Sequence, residues 1–235
     1  MRSKRKKFYI SAVAITGYTN TGKSTLLNAL TDSKVIVQDK LFSTLDPTVR
    51  RFVMPNNQKV LFIDTVGFLD ELPHHLIEAF KATLEEVVEA DLVLHLVDAG
   101  HPKAKEQADA AYKVLSEIGA IDKPIITVLN KIDKVDKNAV DKLMRYFDGA
   151  VRVSAVKREG FEALINTVLR YIGETMTRVK ATIPLNKAGI LNFIYENGVV
   201  TKKEYKGNGV YIEANLPARL KTTLDKKIFY VKLKN

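Results

Sequence analysis

The run Gly17-Tyr18-Thr19-Asn20-Thr21-Gly22-Lys23-Ser24 follows a mostly apolar stretch and opens a helical pattern. A GxxxxGK[ST] loop works only between a strand and a helix. Its glycines let backbone N–H groups wrap phosphates, and the helix N-terminus adds its positive end. This one feature commits the chain to an α/β unit and to a phosphorylated ligand. Asn20, Thr21, Gly22, Lys23, Ser24 and Thr25 are the expected phosphate-binding residues. Lys23 reaches the β- and γ-phosphates, and the Ser24 hydroxyl ligates Mg²⁺.

The rest of the first 174 residues agrees with such a fold. Strand-like runs lie at Tyr9–Thr16, Lys59–Asp64, Asp91–Val97, Pro124–Leu129 and Ala150–Ser154. Between them, Ile77, Phe80, Leu84, Val87 and Val88 form one helical stripe. Phe161, Leu164, Ile165, Val168, Leu169 and Ile172 form another. Near-continuous apolar strands are buried on both faces, as in a mostly parallel sheet flanked by helices. Arg51–Met54 and Lys59–Ile63, joined across Pro55–Asn57, read as an antiparallel pair at the edge.

After Gly173 the pattern changes. Ala181–Pro184 reads as a short strand. Leu185, Ala188, Leu191 and Tyr195 read as a helix stripe ended by Gly198. Val199–Tyr205 and Val210–Asn215 flank Lys206-Gly207-Asn208-Gly209, a hairpin signal. A short helix near Pro217–Leu224 and a strand at Ile228–Leu233 complete β-α-β-β-α-β, the ferredoxin-like order. The expected organisation is a basic lead-in at 1–8, an α/β domain at 9–174 and a small α+β domain at 175–235.

Charge sharpens this division. The net charge of +10 is concentrated at the ends. Residues 1–8 hold five basic and no acidic side chains, and residues 174–235 hold 12 basic and five acidic, whereas the middle is near neutral. Basic ends on a neutral body point to a polyanion, with nucleic acid ahead of a membrane surface. The absence of cysteine excludes a disulfide scaffold, a thiolate metal site and a cysteine nucleophile. No apolar run approaches the roughly 20 residues that span a bilayer. Arg2–Lys7 followed by Phe8–Ile15 imitates a signal peptide, but the apolar run leads into the phosphate loop. A cytoplasmic monomer without membrane contact is expected.

The base is read further along. Asn130-Lys131-Ile132-Asp133 ends a strand as NKxD, and the Asp133 carboxylate can accept from both N1–H and the 2-amino group of guanine. Adenine does not present those donors together, so GTP is favoured over ATP. The Lys131 stem can lie on the ring face, and the backbone at Ser154-Ala155 can reach guanine O6. Asp64-Thr65-Val66-Gly67 is a DxxG: Asp64 holds Mg²⁺ through water and the Gly67 N–H touches the γ-phosphate. The segment Leu41–Arg50 carries the other switch, with Thr44 as the Mg²⁺- and γ-phosphate-sensing threonine and Thr48 in reserve.

Four stretches, GYTNTGKST at 17–25, LFSTLDPTVRR at 41–51, DTVGFLDELPHHLIEAF at 64–80 and LHLVDAGHP at 94–102, together resemble the HflX family of translation-factor-related GTPases, close to the Obg group. The resemblance covers about residues 8–173. It implies a Ras-like P-loop GTPase fold, GTP hydrolysis to GDP and phosphate, and association with the large ribosomal subunit through rRNA and protein. In that family the activity is linked to splitting or rescue of ribosomes under stress. Family members usually carry a further N-terminal domain and helical linker, absent from this sequence. Asp98 and His101 look family-like and are expected to shape a loop.

Two features bear on hydrolysis. Many small GTPases place Gln after DxxG to orient the attacking water, whereas Phe68 stands there and can neither donate nor accept a hydrogen bond. Phe68 can pack in a hydrophobic switch, but either way the water-positioning group must come from elsewhere, such as a docking partner, and slow intrinsic turnover is expected. A nucleotide-controlled protein-binding module with negligible hydrolysis is the alternative. Lys23, Thr44, Gly67 and Asn20 are the expected catalytic set. Asn20 has two readings: a K⁺ site beside the phosphates, as in potassium-activated GTPases, or tolerance of an unusual backbone angle. In the tail, Lys206–Glu213 begins like an RNA-binding RNP1 motif but lacks its aromatics, with Asn208, Val210 and Glu213 at those positions. No base-stacking platform is therefore expected. Lys202, Lys203, Lys206, Lys226 and Lys227 remain as non-specific phosphate contacts.

Overall fold

The computed structural model describes residues 10–31, 47–68, 84–174, 176–207, 209–217, 220 and 224–225. They form two compact units. One holds the described residues of 12–52 and 60–169, and the other those of 1–11, 53–59 and 170–235.

A six-stranded sheet in the order β2-β3-β1-β4-β5-β6 organises the nucleotide-motif region. Its strands are β1 (Ser11–Gly17), β2 (Thr48–Val53), β3 (Lys59–Asp64), β4 (Leu92–Asp98), β5 (Ile125–Asn130) and β6 (Val151–Arg152). The β1–β4, β4–β5 and β5–β6 pairs are parallel. Every residue of β1 is buried, as the apolar run required. Asp91, just before β4, accepts the Ala12 N–H at 2.9 Å, and Thr127 of β5 bonds the Tyr112 hydroxyl at 2.8 Å. His95 meets the Tyr112 ring edge-on at 4.8 Å.

Helices cover this sheet. α1 is Lys23–Thr31, α2 Ala104–Glu117, α3 Lys137–Tyr146 and α4 Phe161–Glu174. Ala104, Ala108, Ala111 and Leu115 are the buried stripe of α2, and their small side chains allow close approach to the strands. Asp136 caps α3 by accepting the Ala139 N–H at 3.0 Å. Leu164, Val168 and Ile172 of the expected α4 stripe are buried. Ile77 and Phe80 of the other stripe lie outside the described residues; Val87 is buried and Val88 is exposed.

The second unit contains an antiparallel sheet in the order β7-β9-β8: β7 (Met176–Ile183), β8 (Val199–Lys206) and β9 (Gly209–Pro217). Helix α5 (Ala188–Asn197) lies between β7 and β8 in the chain. This 1-3-2 order is the split βαβ arrangement, and the expected final strand at 228–233 lies outside the described residues. Two expectations need correction. The first strand has eight residues rather than four, because Arg178, Lys180 and Thr182 alternate with half-buried Val179 and Ala181 and mask the apolar signal. The buried stripe of the helix is Ile190, Ile194 and Asn197, whereas Leu185 and Tyr195 are exposed. Apolar residues at nearly every position of 190–195 leave the periodicity without a preferred face, and a 3-10 turn at Leu185–Lys187 shifts the phase. Similarly β6 shrinks to two residues, because the chain at Ser154 turns into a bridge with Glu159.

Ile194 is fully buried among Ile183, Ile190, Ile212 and Leu216. Ile194→Ala is therefore expected to cost about 2–5 kcal/mol, read from urea unfolding. A loss below about 1 kcal/mol would mean that α5 does not depend on this contact.

Candidate nucleotide site

The phosphate loop sits where the sequence places it, between β1 and α1. Its backbone needs glycine at both ends. Gly17 has φ +142° and packs against the Leu96 carbonyl; Gly22 has φ +93°, and a Cβ there would approach the Asn130 amide nitrogen to 2.5 Å. Asn20 has φ +61°, so the second of its two readings describes its backbone. Lys23 is buried, and its ammonium donates to the carbonyls of Gly17 at 3.2 Å and Tyr18 at 2.8 Å. Burial lowers its pKa from 10.5 to about 8, against an opposing pull from the Asp64 carboxylate.

The metal-binding candidates converge in part. Ser24 Oγ donates to Asp64 Oδ2 at 2.6 Å, which brings a hydroxyl and a carboxylate from α1 and β3 to one point. Two hard oxygens beside a phosphate loop fit Mg²⁺. Thr25 follows on α1. Gly67 lies against Lys23, since a Cβ on it would fall 2.9 Å from Nζ. Thr44 lies outside the described residues, and the reserve Thr48 opens β2.

The base-reading motifs are tied to the phosphate loop by direct bonds. Asn130 Nδ2 donates to the Thr21 carbonyl at 2.8 Å, and its Oδ1 accepts the Ala155 N–H at 3.0 Å. Lys131, with φ +64°, donates to the Asn20 carbonyl at 2.6 Å and to Asp98 Oδ2 at 2.7 Å. Ser154 Oγ donates to Asp133 Oδ1 at 2.6 Å, and that bond is the main reason the Asp133 carboxyl titrates below its usual range. Asp133 is thus an acceptor at neutral pH, as guanine N1–H and its 2-amino group require.

Two contributions escape a reading of motifs. Asp98 does shape its loop, accepting the Gly100 N–H at 3.0 Å, but it also anchors Lys131. Its signal was a carboxylate ending β4, the strand that pairs with the NKxD strand. Phe68 contributes through its backbone: its N–H donates to Gly17 and its carbonyl accepts from Thr19, each at 3.0 Å. Its ring is buried with Tyr18, Val87 and Val93.

Because phosphates favour the ammonium form of Lys23, nucleotide binding raises its pKa and takes up a proton. Affinity is then highest below pH 8 and falls as pH rises past it. GDP affinity is expected to drop about tenfold between pH 7 and pH 9, with a flat profile in Lys23→Met. The same pH dependence in both proteins would reject the linkage.

Two family models cover most of the sequence: a 50S ribosome-binding GTPase model matches residues 12–131, and an HflX C-terminal domain model matches residues 139–234. GTPase HflX of Lacrimispora saccharolytica is 42% identical over 224 residues, covering 95% of this chain and 53% of that protein. The Thermococcus kodakarensis GTPase HflX is 37% identical over 222 residues, covering 87% of this chain and 50% of that one. The chain spans about half the length of the curated relatives it matches. Among solved structures, an Aquifex aeolicus Era variant bound to GDP·AlF4⁻ superposes with a TM-score of 0.59 at 28% identity, covering 69% of this chain and 56% of that one. A GTP-binding protein from Sulfolobus solfataricus in complex with GDP gives 0.56 at 27%, covering 72% and 54%. The fold is that of Ras-like P-loop GTPases. With one model on the phosphate-loop region, a second on the tail, and relatives that match up to 95% of this chain, the chain belongs to the HflX family of GTPases.

Proposed function

We propose that this chain binds GTP with Mg²⁺, hydrolyses it slowly on its own, and works as a cytoplasmic switch on the large ribosomal subunit. The observation that carries the reading is Asn130, which fastens the phosphate loop at Thr21 to the base-reading loop at Ala155. A ligand spanning both loops needs phosphates at one end and a guanine at the other. The name of the matched model, a 50S ribosome-binding GTPase, supports the partner.

In the mechanism, Lys23 exchanges its carbonyl partners for the β- and γ-phosphates. Ser24 and Asp64 would hold Mg²⁺, with Thr44 as the proposed third member. The metal when bound neutralises charge on the phosphate oxygens. Gly67 presents its N–H to the γ-phosphate, and Asp133, held by Ser154, fixes the base. The buried ring of Phe68 leaves no side chain at that position to orient water. A docking partner that supplies a group to position the attacking water would complete the site. Asn20 is exposed on the loop, and its side chain is the proposed K⁺ ligand.

Single-turnover GTP hydrolysis, run in matched KCl and NaCl with and without purified large ribosomal subunits, tests the proposal. The expected intrinsic rate is on the order of 10⁻⁴ s⁻¹, rising at least tenfold with the subunits. Tight GTP binding with no stimulation would favour the nucleotide-controlled binding module. Equal rates in the two salts would remove K⁺ alone.

A further inference from the structure

The antiparallel sheet of the second unit has an open face that the nucleotide site does not use. Val179, Ala181 and Ile183 of β7 oppose Ala214, Ile212 and Val210 of β9 on the core side. On the other side Arg178, Lys180 and Thr182 oppose Asn215, Glu213 and Tyr211, and β8 adds Lys202, Glu204 and Lys206. Two acids are therefore set among four cations. Glu213 is already engaged: it accepts from the Tyr211 hydroxyl at 2.7 Å and from Arg178 at 2.5 Å, with Lys180 at 3.6 Å. Glu204 pairs with Lys202 at 2.8 Å. Even so, the side chains of Arg178, Lys180 and Lys202 remain 63%, 58% and 53% exposed. The cations keep donors available to an outside anion.

Tyr211 gives this face a second property. Its hydroxyl is pinned to Glu213, and its ring lies beneath two cations, Lys206 at 4.7 Å and Lys202 at 6.0 Å from the centroid. The RNP1 comparison did not include this ring. That comparison weighed positions 208, 210 and 213, whereas Val210 faces the core and the aromatic on the open side stands at 211. An anchored ring under exchangeable lysines matches what single-stranded nucleic acid requires. A base stacks on the ring while the lysines move to the flanking phosphates. An acidic protein segment would use the cations and leave the ring idle.

We propose that the open face of β7-β9-β8 binds single-stranded RNA, with Tyr211 stacking a base and Arg178, Lys180, Lys202 and Lys206 contacting phosphates. The choice of RNA rests on the ribosomal reading above; the geometry of the face does not. The test is fluorescence anisotropy of the full chain with a labelled oligo(U) of about 12 nucleotides across a salt series. Oligo(U) binding by the wild type is expected. Lys202→Ser combined with Lys206→Ser should lower the salt slope by about 1.4. Tyr211→Ala should weaken binding roughly 5- to 150-fold without changing the slope, and Tyr211→Phe should retain most of it. GDP affinity should be the same in all variants, and an unchanged circular-dichroism spectrum and urea transition show that the small sheet is folded in each. Absence of oligo(U) binding by the wild type, wild-type affinity in both the lysine and Tyr211→Ala variants, or equal loss of a poly-glutamate peptide with Tyr211→Ala would each overturn the proposal. Ribosome-stimulated hydrolysis is a separate readout: its absence with oligo(U) binding intact rejects the ribosomal reading and spares the face.

Discussion

The nucleotide site depends on one amide. Asn130 uses both ends of its side chain, the nitrogen toward Thr21 and the oxygen toward Ala155, and it is almost wholly buried. A buried amide left half-bonded costs about 1–3 kcal/mol, so the two loops are held in a fixed relation before any ligand arrives. Gly22 has no Cβ because that amide occupies the space. Lys131, the next residue, takes a left-handed backbone to reach Asn20 and Asp98. The end of β5 thereby brings Asn130 and Lys131 to the phosphate loop, and the 3-10 turn that follows carries Asp133 to the Ser154 hydroxyl.

Much of this was legible in the sequence because its signals are local. A glycine-bounded loop between an apolar run and a helix, DxxG after a strand and NKxD after another are short, ordered and chemically specific. The strand Lys59–Asp64 was read to the residue, since both flanks break sharply. What was less legible depends on partners distant in sequence. Asp98 does not reveal from its neighbours that it will pair with Lys131, 33 positions on. The role of Phe68 lies in its peptide groups, which carry no sequence signal at all.

The small sheet shows the same limit from the other side. Charged residues alternating with modest apolar ones concealed most of β7, because a strand with one solvated face has only half its positions to announce it. The register then decided which side Tyr211 took, and register is a property of three strands together. Motif matching weighed Val210 and Glu213 as equivalents, although the fold sends them to opposite faces.

Lys23 carries a last consequence. Its ammonium is bonded to the Gly17 and Tyr18 carbonyls within the loop itself. Phosphates bound by this lysine, as proposed, would trade places with those internal acceptors, and each bond they made to it would count only by the difference.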